Sequence, residues 1–174
     1  MMAEDVRIDR ATLADLDAIL ALERQCFPTP WTREAFVQEL SRDDDVAMYV
    51  VARDGDEIVG YAGMWVMPAE AHLCTIAVAP TRRRRGLGER ILLHMVEQAV
   101  RQGSQRLVLE YRVSNLGAHS LYMKYGFRLL GVRKGYYRDG ASTEDAIVAS
   151  LDDIQAPAFA DRLREWKHAV ETRR

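Results

Sequence analysis

The sequence contains few of the features that mark secreted, membrane-spanning or metal-binding proteins. Only two cysteines occur, Cys26 and Cys74, too few for a disulfide framework, and each is expected to be a buried reduced thiol. The four histidines show no metal-ligand spacing, so no metal is expected. No apolar run is long enough to cross a bilayer and no signal-peptide core begins the chain, so we expect a cytoplasmic protein without a membrane partner.

An excess of charge of one sign is also missing. The 174 residues include 24 Lys and Arg against 26 Asp and Glu, a formal net charge of −2, which argues against nucleic acid as a partner. Hydrophobic residues make up 48% and charged residues 29% of the chain, as in an ordinary globular protein. With no internal repeat or low-complexity linker, this length predicts one domain with a sizeable core, as a monomer or weak dimer.

What the sequence does contain is a basic turn with two glycines, residues 82–88, between an apolar strand and a helix. Four arginines occupy positions 82–85, and Gly86 and Gly88 open a segment of helical periodicity that stops at Gly103. The N-terminus of a helix presents unpaired N–H groups, and glycines let the backbone come close to a ligand. This glycine turn therefore predicts a ligand that carries phosphate.

The spacing within the glycine turn separates three classes of phosphate ligand. A P-loop would need Lys followed by Ser or Thr after the last glycine, and neither follows Gly88. A dinucleotide fingerprint would need a third glycine where Ile91 stands. The remaining pattern, Arg83-x-x-Gly86-x-Gly88, resembles the pyrophosphate-binding signature of the GNAT superfamily of N-acetyltransferases, which bind acetyl-CoA. A solvated basic turn that only caps the helix is the alternative.

Helical and strand patterns interleave along the chain, which predicts an α/β layered domain with a mostly antiparallel sheet. Strands are predicted at residues 6–10, 46–53, 57–67, 71–79, 106–112, 129–137 and 144–151. Helices are predicted after Thr12 and Thr32, after Gly86, and from Asn115 to Tyr125.

Residues 152–174 form a charged tail after this domain. Four apolar residues in it share one stripe of a predicted amphipathic helix: Phe159, Leu163, Trp166 and Val170. Packing on the parent domain is expected, and a dimer contact is the alternative.

Segments downstream of the glycine turn follow the pattern of one family in order and spacing. They are Leu109-Glu110-Tyr111-Arg112-Val113-Ser114-Asn115, Ala118, Leu121-Tyr122, Gly126-Phe127, Gly131-x-Arg133-Lys134-x-Tyr136-Tyr137-x-Asp139-Gly140 and Glu144-Asp145-Ala146-Ile147. Together with the turn they resemble, across residues 6–151, the ribosomal-protein-alanine N-acetyltransferase (RimI) family. The resemblance implies a single-domain GNAT fold, a mixed and mostly antiparallel sheet flanked by helices, whose central strands splay apart at the acetyl-CoA site.

The activity implied by the resemblance is direct transfer of an acetyl group from acetyl-CoA to an N-terminal α-amine. The implied substrate is a ribosomal small-subunit protein with alanine as its expected first residue, and broader protein substrates remain open. One alternative is acetylation of a small amine, such as an antibiotic, polyamine or metabolite. Another is a non-catalytic domain that binds acetyl-CoA.

Glu110 is the expected general base. Alternation along its strand puts it on the same face as Arg112 and opposite Leu109. A carboxylate on an apolar strand is costly unless it is paired or functional, and burial is expected to raise its pKa toward a value useful in catalysis. The resemblance places the general base of the family at this position. The alternative is a structural ion pair, with Arg112 or another cation.

The resemblance also places the general acid at Tyr122. A phenol is protonated at neutral pH and can donate to the departing thiolate of CoA. The alternative role is that of a core aromatic residue on a short helix.

The coenzyme is expected to be held largely by main chain: pantetheine by one strand, and pyrophosphate by the glycine turn. By resemblance, Asn115 is expected to touch the arm of the coenzyme; the alternative role is to cap a helix, and the two roles are compatible. The expected coenzyme-binding residues are Ile76, Ala77, Val78, Arg83, Arg84, Arg85, Gly86, Leu87, Gly88, Asn115 and Tyr122.

The amine side of the site carries weaker signals. By resemblance, the walls of a peptide channel are expected at Phe27, Pro28, Trp31, Tyr136 and Tyr137, although an aromatic–proline corner or a pair of tyrosines also packs without binding anything. Four carboxylates raise the hypothesis of a basic peptide substrate, and a solvated acidic face explains them equally well: Glu70, Asp139, Glu144 and Asp145.

Overall fold

A seven-stranded sheet with helices on both faces makes up residues 6–43 and 45–173, the part of the chain that this computed structural model describes. The strands are β1 (Val6–Arg10), β2 (Ala47–Asp54), β3 (Glu57–Val66), β4 (Glu70–Val78), β5 (Arg106–Arg112), β6 (Arg128–Asp139) and β7 (Ser142–Leu151). The helices are α1 (Leu16–Cys26), α2 (Arg33–Leu40), α3 (Leu87–Arg101), α4 (Leu116–Lys124) and α5 (Pro157–Glu171). Arg174, the last residue of the predicted tail, lies outside the described residues.

The sheet contains one parallel contact, between β4 and β5, and this contact is short. The strand order is β1-β2-β3-β4-β5-β7-β6, and every other neighbouring pair is antiparallel. The register of the parallel pair runs only from Glu70 opposite Arg106 to Leu73 opposite Leu109. Both strands continue beyond that point, to Val78 and Arg112, without pairing with each other. The predicted α/β fold with splayed central strands is therefore confirmed.

An apolar core lies on each face of the sheet. On one face, Ile91, Leu92 and Val96 of α3 are fully buried. On the other face, Ile19 of α1 and Phe36 of α2 are equally buried, and they pack in a separate cluster. Helices α1 and α3 therefore cover opposite faces of the sheet, because each buries its own apolar stripe.

Strand β5 contributes its side chains to both faces. Leu107, Leu109 and Tyr111 are buried in the core beneath α3. Because successive residues of a strand point to opposite faces, Glu110 and Arg112 project toward the side of α1. The alternation read from the sequence thus describes this strand correctly.

Helix α5 packs on the same face as α3. Its apolar stripe is buried there through Phe159, Leu163 and Val170. The ring of Trp166 meets Tyr125 edge-on, with 5.3 Å between ring centroids, and Lys167 Nζ lies 2.8 Å from a carboxylate oxygen of α3. The predicted stripe therefore contacts the parent domain. No helix within the described residues is long and apolar enough to cross a membrane.

Candidate active site

The glycine turn joins β4 to α3 through left-handed backbone. Gly86 precedes the first helical residue with φ of +79°, and Arg84 has φ of +65°. A Cβ built at Gly86 would meet no atom within 4 Å, and one at Gly88 would meet none closer than 3.9 Å. The backbone of the turn therefore faces open space at a helix N-terminus, the arrangement that suits an anion. Arg83 folds back instead, because its Nε donates a hydrogen bond to the carbonyl of Val78 at 3.0 Å.

A cleft of about 1230 Å³ runs along this turn. It is lined by all of the predicted coenzyme residues except Leu87: Ile76, Ala77, Val78, Arg83, Arg84, Arg85, Gly86, Gly88, Asn115 and Tyr122. The side chain of Leu87 is instead buried in the core beneath α3. Cys26 and Phe27, from the α1 side of the sheet, also line the cleft. The large cleft therefore passes from one face of the sheet to the other through the gap between β4 and β5.

The large cleft concentrates positive charge on a chain whose net charge is −2. Six cationic side chains line it against two carboxylates: Arg83, Arg84, Arg85, Arg90, Lys124 and Arg173 against Glu89 and Glu171. Such a surface suits a ligand with several phosphate charges. Within the described residues, no three His, Cys, Asp or Glu side chains form a group able to hold a metal ion.

Glu110 lies beside the gap, on the α1 side of β5. Its side chain is only 6% exposed. Oε2 lies 2.5 Å from Nε2 of His72, a residue of β4 that the sequence analysis did not single out. Oε1 is buried and has no hydrogen-bond partner among the described residues, although a guanidinium nitrogen of Arg133 comes within 3.2 Å of it. One oxygen of this carboxylate is thus anchored by a hydrogen bond, and the other has an ion-pair neighbour but no hydrogen bond.

The expectation that the pKa of Glu110 is raised is wrong, because burial is not the dominant effect. The hydrogen bond from His72 lowers this pKa, burial opposes that effect, and the charges of His72 and Arg133 lower it further. Glu110 is therefore ionised at neutral pH. The proposed ion pair with Arg112 is absent too, because that guanidinium holds Asp139 and Glu144 instead.

Tyr122 lies in α4 at the wall of the large cleft. Its ring packs against Tyr111 and Phe127, with centroids 5.2 and 5.5 Å away. Burial raises the pKa of its phenol, so the hydroxyl stays protonated at physiological pH. Asn115 lines the same cleft and also caps α4, because its Oδ1 accepts a hydrogen bond from the backbone N–H of Ala118 at 3.0 Å.

The two cysteines are half-buried rather than buried as expected. Cys26 lines the large cleft, where its Sγ donates to the carbonyl of Val78 at 3.5 Å. Burial raises the pKa of Cys26, and it raises the pKa of Cys74 to about 12. Both side chains are therefore thiols at neutral pH, and a thiol is a poor nucleophile compared with a thiolate.

The predicted amine-side residues do not line a single cavity. Of the five, only Phe27 lines the large cleft. Trp31 faces a smaller cavity of about 400 Å³ that is also lined by Trp65. Tyr136 and Tyr137 pack edge-on with 5.1 Å between centroids. Burial raises the pKa of both tyrosines, and the charge of Glu110 also raises both, so they stand in the electrostatic field of that carboxylate.

A polar contact ties the loop after α1 to the β6–β7 hairpin. Thr29 Oγ1 donates a hydrogen bond to Oδ1 of Asp139 at 2.8 Å. The guanidinium of Arg112 donates hydrogen bonds to the same carboxylate at 2.7 and 3.0 Å, and it donates another to Glu144 at 3.1 Å. The two segments predicted to flank the amine are thus joined directly.

The hypothesis that free surface carboxylates attract a basic peptide is not supported. Each of the four has a cationic partner within the protein: Glu70 pairs with Arg106, Asp139 and Glu144 pair with Arg112, and Asp145 pairs with Lys134. Three cations thus face the four carboxylates, because Asp139 and Glu144 share Arg112, and most of the negative charge is compensated inside the molecule.

Comparison with known proteins gives a consistent result. The sequence model of the acetyltransferase (GNAT) family matches residues 16–127. The N-alpha-acetyltransferase RimI of Mycobacterium tuberculosis is 38% identical over 141 residues, 78% of this chain and 86% of that protein. The ribosomal protein bS18-alanine N-acetyltransferase of Escherichia coli is 31% identical over 137 residues, 79% of this chain and 90% of that protein.

A solved structure agrees with these sequence relatives. The crystal structure of the ribosomal-protein-S18-alanine N-acetyltransferase from Escherichia coli matches with a TM-score of 0.78 and 29% identity. The match covers 85% of this chain and 94% of that one.

Proposed function

The chain belongs to the acetyltransferase (GNAT) family, and we propose that it acetylates the N-terminal α-amine of a protein with acetyl-CoA as the donor. We further propose that the substrate is the N-terminal alanine of a ribosomal small-subunit protein of the bS18 kind. The names of the relatives support this choice, because the Escherichia coli protein is named for alanine N-acetylation of bS18. The similarity spans most of both chains rather than a shared fragment.

The observation that carries the proposal is the half-satisfied carboxylate of Glu110 at the gap between β4 and β5. An acetyl thioester held in the large cleft would reach this gap, and an amine arriving from the α1 side would find Oε1 without a hydrogen-bond partner. Arg133 faces this oxygen as an ion pair without a hydrogen bond, so a buried acceptor keeps an open hydrogen-bonding capacity, which favours a functional role. Proton abstraction needs such an acceptor within hydrogen-bond reach of the amine.

The roles proposed for Glu110 and Tyr122 account for both protons that move in one acetyl transfer. The neutral amine attacks the thioester carbonyl, a C–N bond forms, and Glu110 takes the proton that the nitrogen loses. The tetrahedral intermediate then breaks its C–S bond, and the Tyr122 hydroxyl gives a proton to the departing sulfur. The raised pKa of Cys26 favours this direct route over an acetyl-cysteine intermediate.

An α-amine suits the lowered pKa of Glu110. The pKa of an α-amine is near 8, so roughly a tenth of it is free base at pH 7. The pKa of a lysine side chain is near 10.4, so less than about a thousandth of it is free base at the same pH. A carboxylate with a lowered pKa is a weak base, and it suffices only for the amine that needs little help. This difference favours a protein N-terminus over a lysine side chain.

His72 and Arg133 are proposed to position the base. An ionised carboxylate only accepts hydrogen bonds, so Nε2 of His72 acts as the donor that fixes Oε2. Arg133 covers Oε1, and its half-exposed side chain can turn toward solvent when the amine arrives. Tyr136 and Tyr137 then line the approach of the peptide, together with Phe27, Pro28 and Trp31.

The coenzyme would be held mainly by backbone. Main chain at residues 76–78 has no strand partner along the gap among the described residues, so the amides of pantetheine can pair there as an added strand would. The glycine turn would hold the pyrophosphate, and Asn115 would contact the pantetheine arm.

A peptide panel tests the proposal. Free N-terminal Ala, Ser and Met peptides are compared with N-terminally blocked peptides that contain lysine, and acetylation is followed by mass spectrometry. Acetylation of the free termini, with Ala preferred, is expected. Modification of the blocked peptides alone would overturn the assignment of the α-amine.

A further inference from the structure

One end of the large cleft contains charged groups that the proposed chemistry does not use. Glu89 of α3 lies there between Lys124 of α4 and Arg173, which stands two residues after the end of α5. Arg173 Nη1 lies 2.8 Å from Oε2 of Glu89. Val170 and Glu171 of the same terminal segment also line the cleft. This segment lies outside the residues 16–127 that match the family model.

The position of this group relative to the glycine turn indicates what it faces. Glu89 belongs to the first turn of α3, three residues after Gly86. Arg173, in contact with Glu89, therefore stands beside the glycine turn and not beside Glu110. The turn accounts for the two phosphates of the pyrophosphate. Coenzyme A carries a third phosphate, on the 3′ position of its ribose, with a charge of about −1.5 to −2 at neutral pH.

We propose that the C-terminal helix completes the coenzyme site and that Arg173 binds the 3′-phosphate of coenzyme A. The proposal rests on the proposed use of acetyl-CoA. The guanidinium of Arg173 is half-exposed at the rim of the cleft, so it can exchange Glu89 for a phosphate without leaving a buried charge. Glu89 keeps Lys124 as its partner when this happens. Glu171, the other carboxylate at this end, stays exposed to solvent.

The packing of α5 fixes the position from which Arg173 would contact the 3′-phosphate. Phe159, Leu163 and Val170 anchor the helix in the core beneath α3, and Lys167 bonds to Glu97 of α3 at 2.8 Å. Arg173 therefore extends from a fixed helix, and its planar guanidinium can give two parallel hydrogen bonds to one phosphate.

Removal of the 3′-phosphate from the ligand tests the proposal without any amine substrate. Isothermal titration calorimetry measures the affinity for CoA and for 3′-dephospho-CoA in the intact protein and in Arg173→Gln. The intact protein is expected to bind CoA at least about tenfold more tightly than 3′-dephospho-CoA. Arg173→Gln should lose about tenfold for CoA and nothing for 3′-dephospho-CoA. Arg164→Gln, an exposed change on the same helix, should leave both affinities unchanged.

Two outcomes overturn the proposal while acetyl-CoA remains the donor. An equal loss of affinity for CoA and for 3′-dephospho-CoA in Arg173→Gln would show that Arg173 acts on the part of the coenzyme that the two ligands share. Equal affinity of the intact protein for both ligands would show that no group recognises the 3′-phosphate. Failure of the intact protein to bind either ligand is a different result, because it overturns the proposed function itself.

Discussion

The phosphate end of the large cleft and the amine end of the site, beside the gap between β4 and β5, hold their functional groups in different ways. The phosphate end consists of the glycine turn with Glu89, Lys124 and Arg173, and its turn offers backbone N–H groups from one short run of sequence. The amine end consists of Glu110, His72, Arg133, Tyr136 and Tyr137. It offers side chains from three strands that meet only in the folded sheet.

This difference separates binding from chemistry. A backbone site tolerates changes of neighbouring side chains but not the filling of its space, because its donors belong to the main chain. A side-chain site loses its function when one atom changes, even though the fold survives. Variants at the phosphate end should therefore change coenzyme affinity, and variants at the amine end should change turnover or its pH dependence.

Glu110→Gln should have the largest effect. The amide keeps the shape of the side chain but cannot accept the proton of the amine, so kcat should fall about 10²–10⁴-fold. Affinity for CoA, measured by calorimetry, should stay unchanged. Glu165→Gln, an exposed change on α5, is the matched control. An unaltered kcat would show that Glu110 is not the base. It would also contradict the separation of binding at the phosphate end from chemistry at the amine end.

Tyr122→Phe should slow acetyl transfer by about 10²-fold, since it removes the proposed proton donor for the leaving sulfur. The ring contacts with Tyr111 and Phe127 remain, so the melting temperature should change little. Tyr49→Phe removes a buried hydroxyl outside the cleft and serves as the control. Wild-type kinetics in Tyr122→Phe would mean that this tyrosine only packs.

Gly88→Val should weaken CoA binding by more than about tenfold while kcat at saturating coenzyme changes little. The added carbons would project into the space in front of the turn. Arg85→Ala should cost less, within about fivefold, because a single exposed charge contributes about 1 kcal/mol or less. Arg101→Val places the same β-branched residue elsewhere on α3 as a control. A larger loss in Arg85→Ala would show that side chains, and not backbone, hold the phosphates.

His72→Leu should have the smallest effect near pH 8, less than about tenfold, and a growing effect at lower pH. His72 is the main cause of the lowered pKa of Glu110, so its removal leaves burial to raise that pKa. Glu110 then becomes protonated at a higher pH than in the wild type, and the ratio of variant to wild-type kcat/KM falls as pH is lowered. The substrate amine titrates identically with both enzymes, so this ratio reports only the titration of groups on the enzyme.

His72→Gln retains an N–H donor and should restore much of the wild-type profile. A pH-independent ratio for His72→Leu would contradict the role of His72 in setting the pKa of the base.

The same difference between the two ends decided what the sequence predicted. The glycine turn is contiguous, so Arg83, Gly86 and Gly88 could be identified from their spacing, and the structure places them along the large cleft. The face of the sheet to which Glu110 points could be predicted from the alternation of side chains along its strand. Its partners did not, because His72 and Arg133 reach it only through the register of β4, β5, β7 and β6.

The predicted direction of the pKa shift of Glu110 was wrong for the same reason. Burial alone predicts a raised pKa, but the hydrogen bond from His72 is the larger effect and lies 38 residues away in sequence. The hypothesis of a basic peptide substrate counted four carboxylates without their cationic partners, Arg106, Arg112 and Lys134, which the sequence does not place beside them. The contribution of Arg173 to the large cleft was also missed, since the apolar stripe of the tail indicated only packing on the parent domain or a dimer contact.

The short parallel contact between β4 and β5 has a consequence for the survival of the protein without its coenzyme. Beyond Leu73 and Leu109, two strand edges face each other inside one sheet without pairing with each other, and Cys26 and Arg83 reach only the carbonyl at the end of β4, that of Val78, among the contacts described above. Exposed edges invite pairing with other chains. On the proposed function, acetyl-CoA covers one of these edges, so it protects the fold as well as supplying the acetyl group. A coenzyme concentration of 100 times Kd adds about 2.7 kcal/mol to the free energy of unfolding. Resistance to heat and aggregation would then rise and fall with the supply of coenzyme.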